Sequence, residues 1–387
     1  MKIAMVVYAQ YSRDARVRRY AESLAGKGHQ VDIICLKEDY SPQYKKLKLY
    51  KFPFPRRRKN FSWYFLEYGL FFCYTFGLLS ILSLFKKYKI VHIHNMPDFL
   101  VFTAVMPKFR GSRIILDMHD PMPELLMTKY RLNHSHWLMN LVYFLERQAF
   151  IFADKIITAN SEFKKIFLER QTISADKIEV ILNYPDPKLF KPVSRKTASE
   201  NFILMYMGTV DERFGLDIAL EAIPAIKNKI PQIKLIIIPK ISGEGNYYSQ
   251  LVQRITKLKI GRYVEIRKPV ALDEIAKEIH LADIGLTLVK KNLFTEKILP
   301  LKLTEFMAGG IPVIATRTKL LSRYFSGKMI CYLTENTSAE FSRKVLFLYR
   351  NKKQRELYGK NALLFFRKYN WHMEEKKYYR IIRTLTQ

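Results

Sequence analysis

Residues 294–315, FTEKILPLKLTEFMAGGIPVIA, carry the densest chemistry in this chain of 387 residues. Pro300 suits the first turn of a helix, and Gly309 and Gly310 suit its end. A helix start offers free N–H groups and the positive end of a dipole, which suits a diphosphate. Lys302 and Glu305 lie on one helical face. Glu305 can accept hydrogen bonds from ribose hydroxyls while Lys302 meets phosphate; a surface ion pair on a scaffold helix has the same spacing.

Three further clusters sit where strands give way to loops. In GTVDERFGLDIALEAI, Gly208 allows close backbone approach and Arg213 stands in the loop before a helix. Its guanidinium can fork onto a phosphate, or it is an exposed loop arginine. VHIHNMPDF (91–99) and ILDMHDPMPE (115–124) put His92 and His94 on one strand face, with His119 and Asp120 just past the next strand. Such groups bind substrate hydroxyls, act as acid or base, or hold a metal; a strand histidine is also often a satisfied core residue. In YSRDARVRR (11–19), Ser12 is a candidate N-cap, from which Arg13 and Arg16 would point to a cleft mouth and hold an anionic acceptor. A basic helix face is the plainer alternative. The chain has no D-x-D pair, no G-x-G-x-x-G after the first strand, no P-loop and no G-x-S-x-G.

The elements that must position these residues follow a βα rhythm. Strand candidates at 2–7, 31–36, 89–94, 113–118, 155–159 and 178–182 are apolar on both faces, as in a parallel sheet covered by helices. After a Pro-rich polar stretch at 185–201 the rhythm restarts, with candidates at 202–207, 233–238, 263–266, 283–288, 312–315 and 329–332. The pattern predicts two Rossmann-like doubly wound domains facing a cleft, 1–190 and 201–370, with ligands beyond the carboxyl ends of the strands. A last amphipathic helix covers 371–387.

Phe61–Phe85 interrupts the rhythm with an apolar run whose only charge is Glu67. Arg56, Arg57, Arg58 and Lys59 precede it, and Lys86, Lys87 and Lys89 follow. Its length suits a bilayer crossing, but a crossing would split one parallel sheet. An interfacial or groove-lining helix fits better; a core helix is the alternative.

The formal net charge is +31, from 66 Lys+Arg against 35 Asp+Glu. It favours polyanions and anionic lipid surfaces, or reflects a Lys-rich solvated surface. The basic residues form no recognised nucleic-acid module, so nucleic acid is not an expected partner. Cys35, Cys73 and Cys331 are too sparse for a disulfide framework or a zinc ribbon, and the N-terminus reads as a strand rather than a signal peptide. A cytoplasmic protein, peripheral at the inner face of the membrane, is expected.

Over nearly its whole length the sequence resembles the family 4 glycosyltransferases, of GT-B fold, which retain anomeric configuration. The resemblance is carried by YSRDARVRR, GKGHQVDII, HNMPDF, DMHDPMPE, NYPDP, GEG and ADIGL followed by KLTEFMAGGIPVIA, in that order. It implies that Glu305 binds ribose, Arg213 the diphosphate and His119 the transferring sugar, and that the final helix crosses back to the first domain. The resulting site has His119, Asp120 and Arg213 in catalysis. Gly208, Arg213, Glu296, Lys297, Lys302, Leu303 and Glu305 would bind a nucleotide-diphospho-sugar donor. Arg13, Asp14, Arg16, His94, Asn95 and Asp98 would bind a glycan or glycolipid acceptor. No metal and no cofactor is expected. Two departures stand out: Lys297 occupies the place of the family's first glutamate, with Glu296 one position off, and the loop at 8–13 lacks glycines. Front-face attack, in which the leaving phosphate helps deprotonate the acceptor, is likewise implied by the resemblance. Two competing expectations remain: a metal-dependent hydrolase built on His92, His94, Asp117, His119 and Asp120, and a non-catalytic GT-B binding protein.

Overall fold

A computed structural model describes residues 1–54, 61–192, 200–240 and 246–387. The basic cluster Arg56, Arg57, Arg58 and Lys59, and the motif Gly243, Glu244 and Gly245, lie outside the described residues. The chain forms two compact units, Met1–Asn183 with His372–Gln387, and Tyr184–Trp371.

The first unit is built on strands β1 (Lys2–Val6), β2 (Gln30–Leu36), β3 (Leu47–Phe52), β4 (Ile90–His94), β5 (Arg113–Met118), β6 (Lys155–Thr158) and β7 (Ile178–Val180). They form one parallel sheet in the order β3-β2-β1-β4-β5-β6-β7. The order reverses between β1 and β4, so their carboxyl ends diverge at a switch point. Apart from exposed Lys2 and Arg113 at their starts, the central strands β1, β4 and β5 are buried, because they are covered by helices on both sides. Strand β3 has no counterpart among the sequence candidates. Its sequence LKLYKF is interrupted by Lys48 and Lys51, as an edge strand with a solvent-facing side permits.

The helix Trp371–Thr386 packs onto this first unit. Tyr378 is fully buried, with its ring 4.4 Å from that of Tyr20. Glu374 accepts a 2.9 Å bond from the Leu182 amide.

In the helix Phe61–Phe85 the buried residues among those described are Glu67, Phe71, Thr75, Leu79 and Ser83, one per turn along a single stripe. Glu67 accepts bonds from Tyr8 Oη at 3.0 Å and Trp63 Nε1 at 3.1 Å, which draws the helix's one charge into the unit. Phe65, Leu66, Leu70, Phe76, Ile81, Leu84 and Phe85 are exposed. This is the one helix among the described residues long and apolar enough to cross a bilayer. The strands on either side of it, β3 and β4, belong to one sheet.

The second unit carries β8 (Phe202–Gly208), β9 (Ile233–Pro239), β10 (Val264–Ile266), β11 (Ile284–Thr287), β12 (Val313–Thr316) and β13 (Cys331–Leu333). They form a parallel sheet in the order β10-β9-β8-β11-β12-β13. The helix Leu301–Ala308 sits against this sheet because Gly285 has no side chain: a Cβ there would lie 2.5 Å from Phe306. Gly310, at φ +77°, then turns the chain back into β12.

Candidate active site

In the second unit the chemistry gathers past the carboxyl end of β8. Gly208 closes that strand at φ +137°, and a Cβ on it would stand 3.9 Å from Lys302 Cγ. Lys302 Nζ reaches Glu305 Oε2 at 2.8 Å. The pair is not a surface ion pair, because Glu305 is fully buried while Lys302 keeps part of its side chain in solvent. Among the described residues Glu305 Oε1 makes no hydrogen bond. A buried carboxylate oxygen without a donor is costly, and a ligand hydroxyl would satisfy it. The helix Leu301–Ala308 begins at Pro300 with no side-chain cap, so its first-turn N–H groups are open to an anion.

Arg213 stands five residues past Gly208 in a short turn capped by Asp211, which accepts from the Arg213 amide at 3.1 Å. Asp211 also lies 3.2 Å from Arg213 Nε, and the guanidinium rests over Phe214 and Phe294. Its buried Nη1 makes no hydrogen bond among the described residues. The side chain is thus oriented and keeps a donor in reserve for an anion.

The remaining donor-side candidates fall elsewhere. Leu303 is fully buried and faces the core, so only its backbone could meet a ligand. Glu296 accepts from the Lys319 amide at 3.2 Å and so caps the helix Lys319–Tyr324. Lys297 closes the turn Thr295–Lys297, donating its amide to Phe294 O at 3.0 Å.

In the first unit the sequence-predicted residues separate into two groups. The outer group joins the loops after β4 and β5. Asn95 donates to Asp98 Oδ1 at 3.1 Å and to Asp120 O at 2.7 Å, and accepts from the His119 amide at 3.2 Å. Asp98 is buried, and burial pushes its carboxyl up to about 6 against the opposing influence of Asn95 and Arg170. Its Oδ2 and His119 Nδ1 are buried and make no hydrogen bond among the described residues. Beneath this group Arg170 pairs with Glu124 at 3.2 Å and Glu146 at 2.9 Å. Burial raises Glu146 to about 8 even so.

The inner group is buried. Arg16 is buried, not turned to a cleft mouth: its Nε and Nη2 fork onto Asp117 at 2.6 and 2.9 Å, and Nη1 donates to Ile181 O at 3.1 Å. The helix Ala15–Gly26 is capped by Asp14, not Ser12, since Asp14 accepts from the amides of Arg16 and Val17. That start leaves Arg13 exposed outside the helix and turns Arg16 inward. His94 is fully buried, its Nδ1 3.2 Å from Asp117. His92 Nδ1 lies 3.0 Å from Tyr378 Oη. Burial, reinforced by His94, holds His92 well below the usual histidine range. Burial opposes charge on Asp117, but Arg16 and His94 overcome it and hold the carboxyl well below its usual range.

His92, His94 and Asp117 bring ligand atoms within 4.8 Å of one another. They do not fit a metal, because both oxygens of Asp117 are engaged by the Arg16 guanidinium, whose charge would repel a cation. His119 and Asp120 belong to the separate outer group, so the hydrolase expectation loses its ligand set.

Sequence reasoning missed Glu38, which accepts from the amides of Tyr11 and Ser12 at 2.6 and 3.1 Å and shapes the glycine-free first loop. A lone acid after a strand gives no spacing signal. An apolar groove in the first unit is lined by Phe65 and Tyr68 of the helix Phe61–Phe85, in keeping with the groove-lining expectation for that helix; its other walls, which include Met96 and Phe99, were not anticipated.

Two parallel doubly wound sheets, each with its candidate groups at the carboxyl ends of strands, define the GT-B class. The model of Glycosyltransferase Family 4 matches residues 15–189, and that of Glycosyl transferases group 1 matches residues 188–364. The chain belongs to the family 4 glycosyltransferases. Sucrose-phosphate synthase from Thermosynechococcus elongatus matches at a TM-score of 0.76 and 16% identity, covering 100% of this chain and 99% of that one. WaaG, a glycosyltransferase involved in lipopolysaccharide biosynthesis, matches at 0.73 and 14%, covering 98% and 99%. A chitobiosyldiphosphodolichol beta-mannosyltransferase of Debaryomyces hansenii is 26% identical over 268 residues, 62% of this chain and 56% of that one. The chain therefore spans little more than half the length of that relative.

Proposed function

We propose that this protein transfers a sugar from a nucleotide-diphospho-sugar to a lipid-linked glycan at a membrane surface. The observation that carries the proposal is Glu305, buried beside Lys302 and Gly208 with one oxygen lacking a donor. A ribose hydroxyl supplies that donor, and Lys302 lies on the side where the phosphates would follow. As the nucleoside diphosphate departs, negative charge grows on it. Arg213, Lys302 and the first-turn N–H groups of the helix Leu301–Ala308 stabilise that charge without a metal. His119, with Nδ1 unengaged, contacts the transferring sugar, and Asp120 is held beside it by Asn95. Asp98 and Asn95 bind acceptor hydroxyls, and exposed Arg13, with Asp14 ordering its turn, meets anionic groups of the acceptor. Arg16 and His94 serve this site only by holding the strands that carry it.

The lipid-linked acceptor is supported by the name of the Debaryomyces hansenii relative, a chitobiosyldiphosphodolichol beta-mannosyltransferase. Retention of configuration rests on the family resemblance. The β-linkage in that relative's name is the opposite outcome from an α-linked donor, and the anomeric coupling of the product in proton NMR separates the two.

Membrane contact is supported by the helix Phe61–Phe85, one stripe of which is buried while Phe65, Leu66, Leu70, Phe76, Ile81, Leu84 and Phe85 are exposed. Its flanking strands share a sheet, so it lies on the bilayer rather than through it, on the cytoplasmic side.

The test is a transfer assay with radiolabelled nucleotide sugars and lipid-diphospho-linked oligosaccharides. Label should enter the organic phase with at least one donor. If label is released only as free sugar or not at all, while the nucleotide still binds, the protein is a binding protein instead.

A further inference from the structure

We propose that the apolar groove of the first unit holds the hydrocarbon chain of the diphospho-lipid that carries the acceptor, an inference that rests on the lipid-linked reading above. The groove is walled by the helices Phe61–Phe85, Met122–Tyr130 and Trp137–Phe152. Phe65, Leu125, Leu126, Leu141 and Leu145 typify its lining, and Lys129 is the one charged residue in it among the described residues.

Three relationships identify the occupant. First, Met96 and Phe99 line the groove while Asn95 and Asp98, their chain neighbours, belong to the polar cluster with His119. A chain lying in the groove delivers its head group to that cluster. Second, both long walls continue outward as exposed apolar surface. Phe72, whose ring lies 5.8 Å from that of the lining residue Phe99, and exposed Phe76 stacked on it extend one wall, and Trp137, Phe144 and Ile151 extend the other. A lipid can thus pass from a bilayer into the groove without crossing water. Third, Lys129 is exposed at this otherwise apolar site, where it complements a diphosphate. A water-soluble sugar acceptor uses none of these features.

The experiment is isothermal titration of the full chain with phytanyl diphosphate, below its micelle concentration, and with inorganic diphosphate. The wild type should bind the phytanyl compound at least about ten-fold more tightly than inorganic diphosphate. Leu126→Trp and Leu141→Trp, which fill the groove, should each abolish most of that difference. Leu141 is already partly in solvent, so its variant keeps the fold. Ile81→Ser, on the exposed face of the helix Phe61–Phe85 outside the groove, should leave the difference intact.

Equal binding of the two probes by the wild type overturns the proposal, as does unchanged binding by the tryptophan variants. A loss with Ile81→Ser as large as with Leu141→Trp means adsorption to a general apolar surface and also overturns it. So does a wild-type dimer in sedimentation that Leu141→Trp dissociates, since the groove is then a protein interface. Phytanyl diphosphate binding without any sugar transfer keeps the groove and sinks the transferase reading. Transfer to a soluble glycoside with no gain from a lipid chain does the reverse.

Discussion

Arg16 and Asp117, 101 residues apart in the chain, meet as a bidentate pair with N–O distances of 2.6 and 2.9 Å. One sits in the first turn of the first helix and the other in β5, and both are buried. The pair ties the loop after β1 to the strand whose end carries His119 and Asp120. Removing one partner leaves a buried charge uncompensated, at a cost of about 3–5 kcal/mol. Asp117→Asn should therefore lower urea-unfolding stability by that order, and Arg16→Lys, which cannot fork, by somewhat less. If Arg16→Lys instead keeps full stability and loses only acceptor affinity, Arg16 is a binding residue after all.

Burial lifts the Asp98 carboxyl from 3.8 to about 6. A carboxyl raised in this way binds its proton more tightly folded than unfolded, so its proton stabilises the fold at low pH. That contribution disappears as pH rises through the folded value. Asp98→Asn removes it. Relative to the variant, the wild type should lose stability between about pH 4 and pH 6, by up to roughly 3 kcal/mol, and then level off. Urea melts of both proteins across this window measure the difference. A gap that stays constant with pH would show that folding leaves the proton affinity of Asp98 unchanged.

The fold was largely legible in the sequence because parallel strands covered on both faces are written as unbroken apolar runs. Strand β3 was not, since at the sheet edge it tolerates Lys48 and Lys51 on its two opposite faces, which breaks the apolar run. The pairing of Lys302 with Glu305 follows from helical spacing, but the depth of Glu305 does not, because that depends on how Gly285 lets the helix approach the sheet. The inward turn of Arg16 was hidden by the choice of cap: starting the helix at Asp14 rather than Ser12 changes which arginine faces the core. The apolar run Phe61–Phe85 pointed to a groove-lining helix, but the groove's other walls come from helices distant in sequence, which no local pattern announces.

Activity should not depend on a divalent cation. The sequence has no D-x-D pair, and the one His/Asp trio of suitable geometry among the described residues has its carboxylate committed to Arg16. Transfer or donor hydrolysis should persist in excess EDTA. Complete loss, restored only by added metal, would falsify the charge-stabilisation scheme built on Arg213 and Lys302.

Binding to anionic vesicles should depend on both salt and the apolar face of Phe61–Phe85. Exposed Lys87 and Lys89 each contribute about 1 kcal/mol near anionic lipid. Vesicle flotation should weaken when salt is raised, when Lys87 and Lys89 become Gln, and when Ile81, Leu84 and Phe85 become Ser. A wild type that stays in the soluble fraction at low salt contradicts peripheral binding. Release by detergent alone means the helix is inserted more deeply.

Donor binding at Glu305 tests the account most directly. Isothermal titration of the full chain with a panel of nucleoside diphosphates and their sugars should reveal at least one that binds saturably. Glu305→Gln should weaken that ligand by about 1–3 kcal/mol, the cost of a charged hydrogen bond lost in a site. If none of the panel binds, or if Glu305→Gln folds normally and binds as tightly as the wild type, Glu305 is not a ribose ligand and the donor site lies elsewhere.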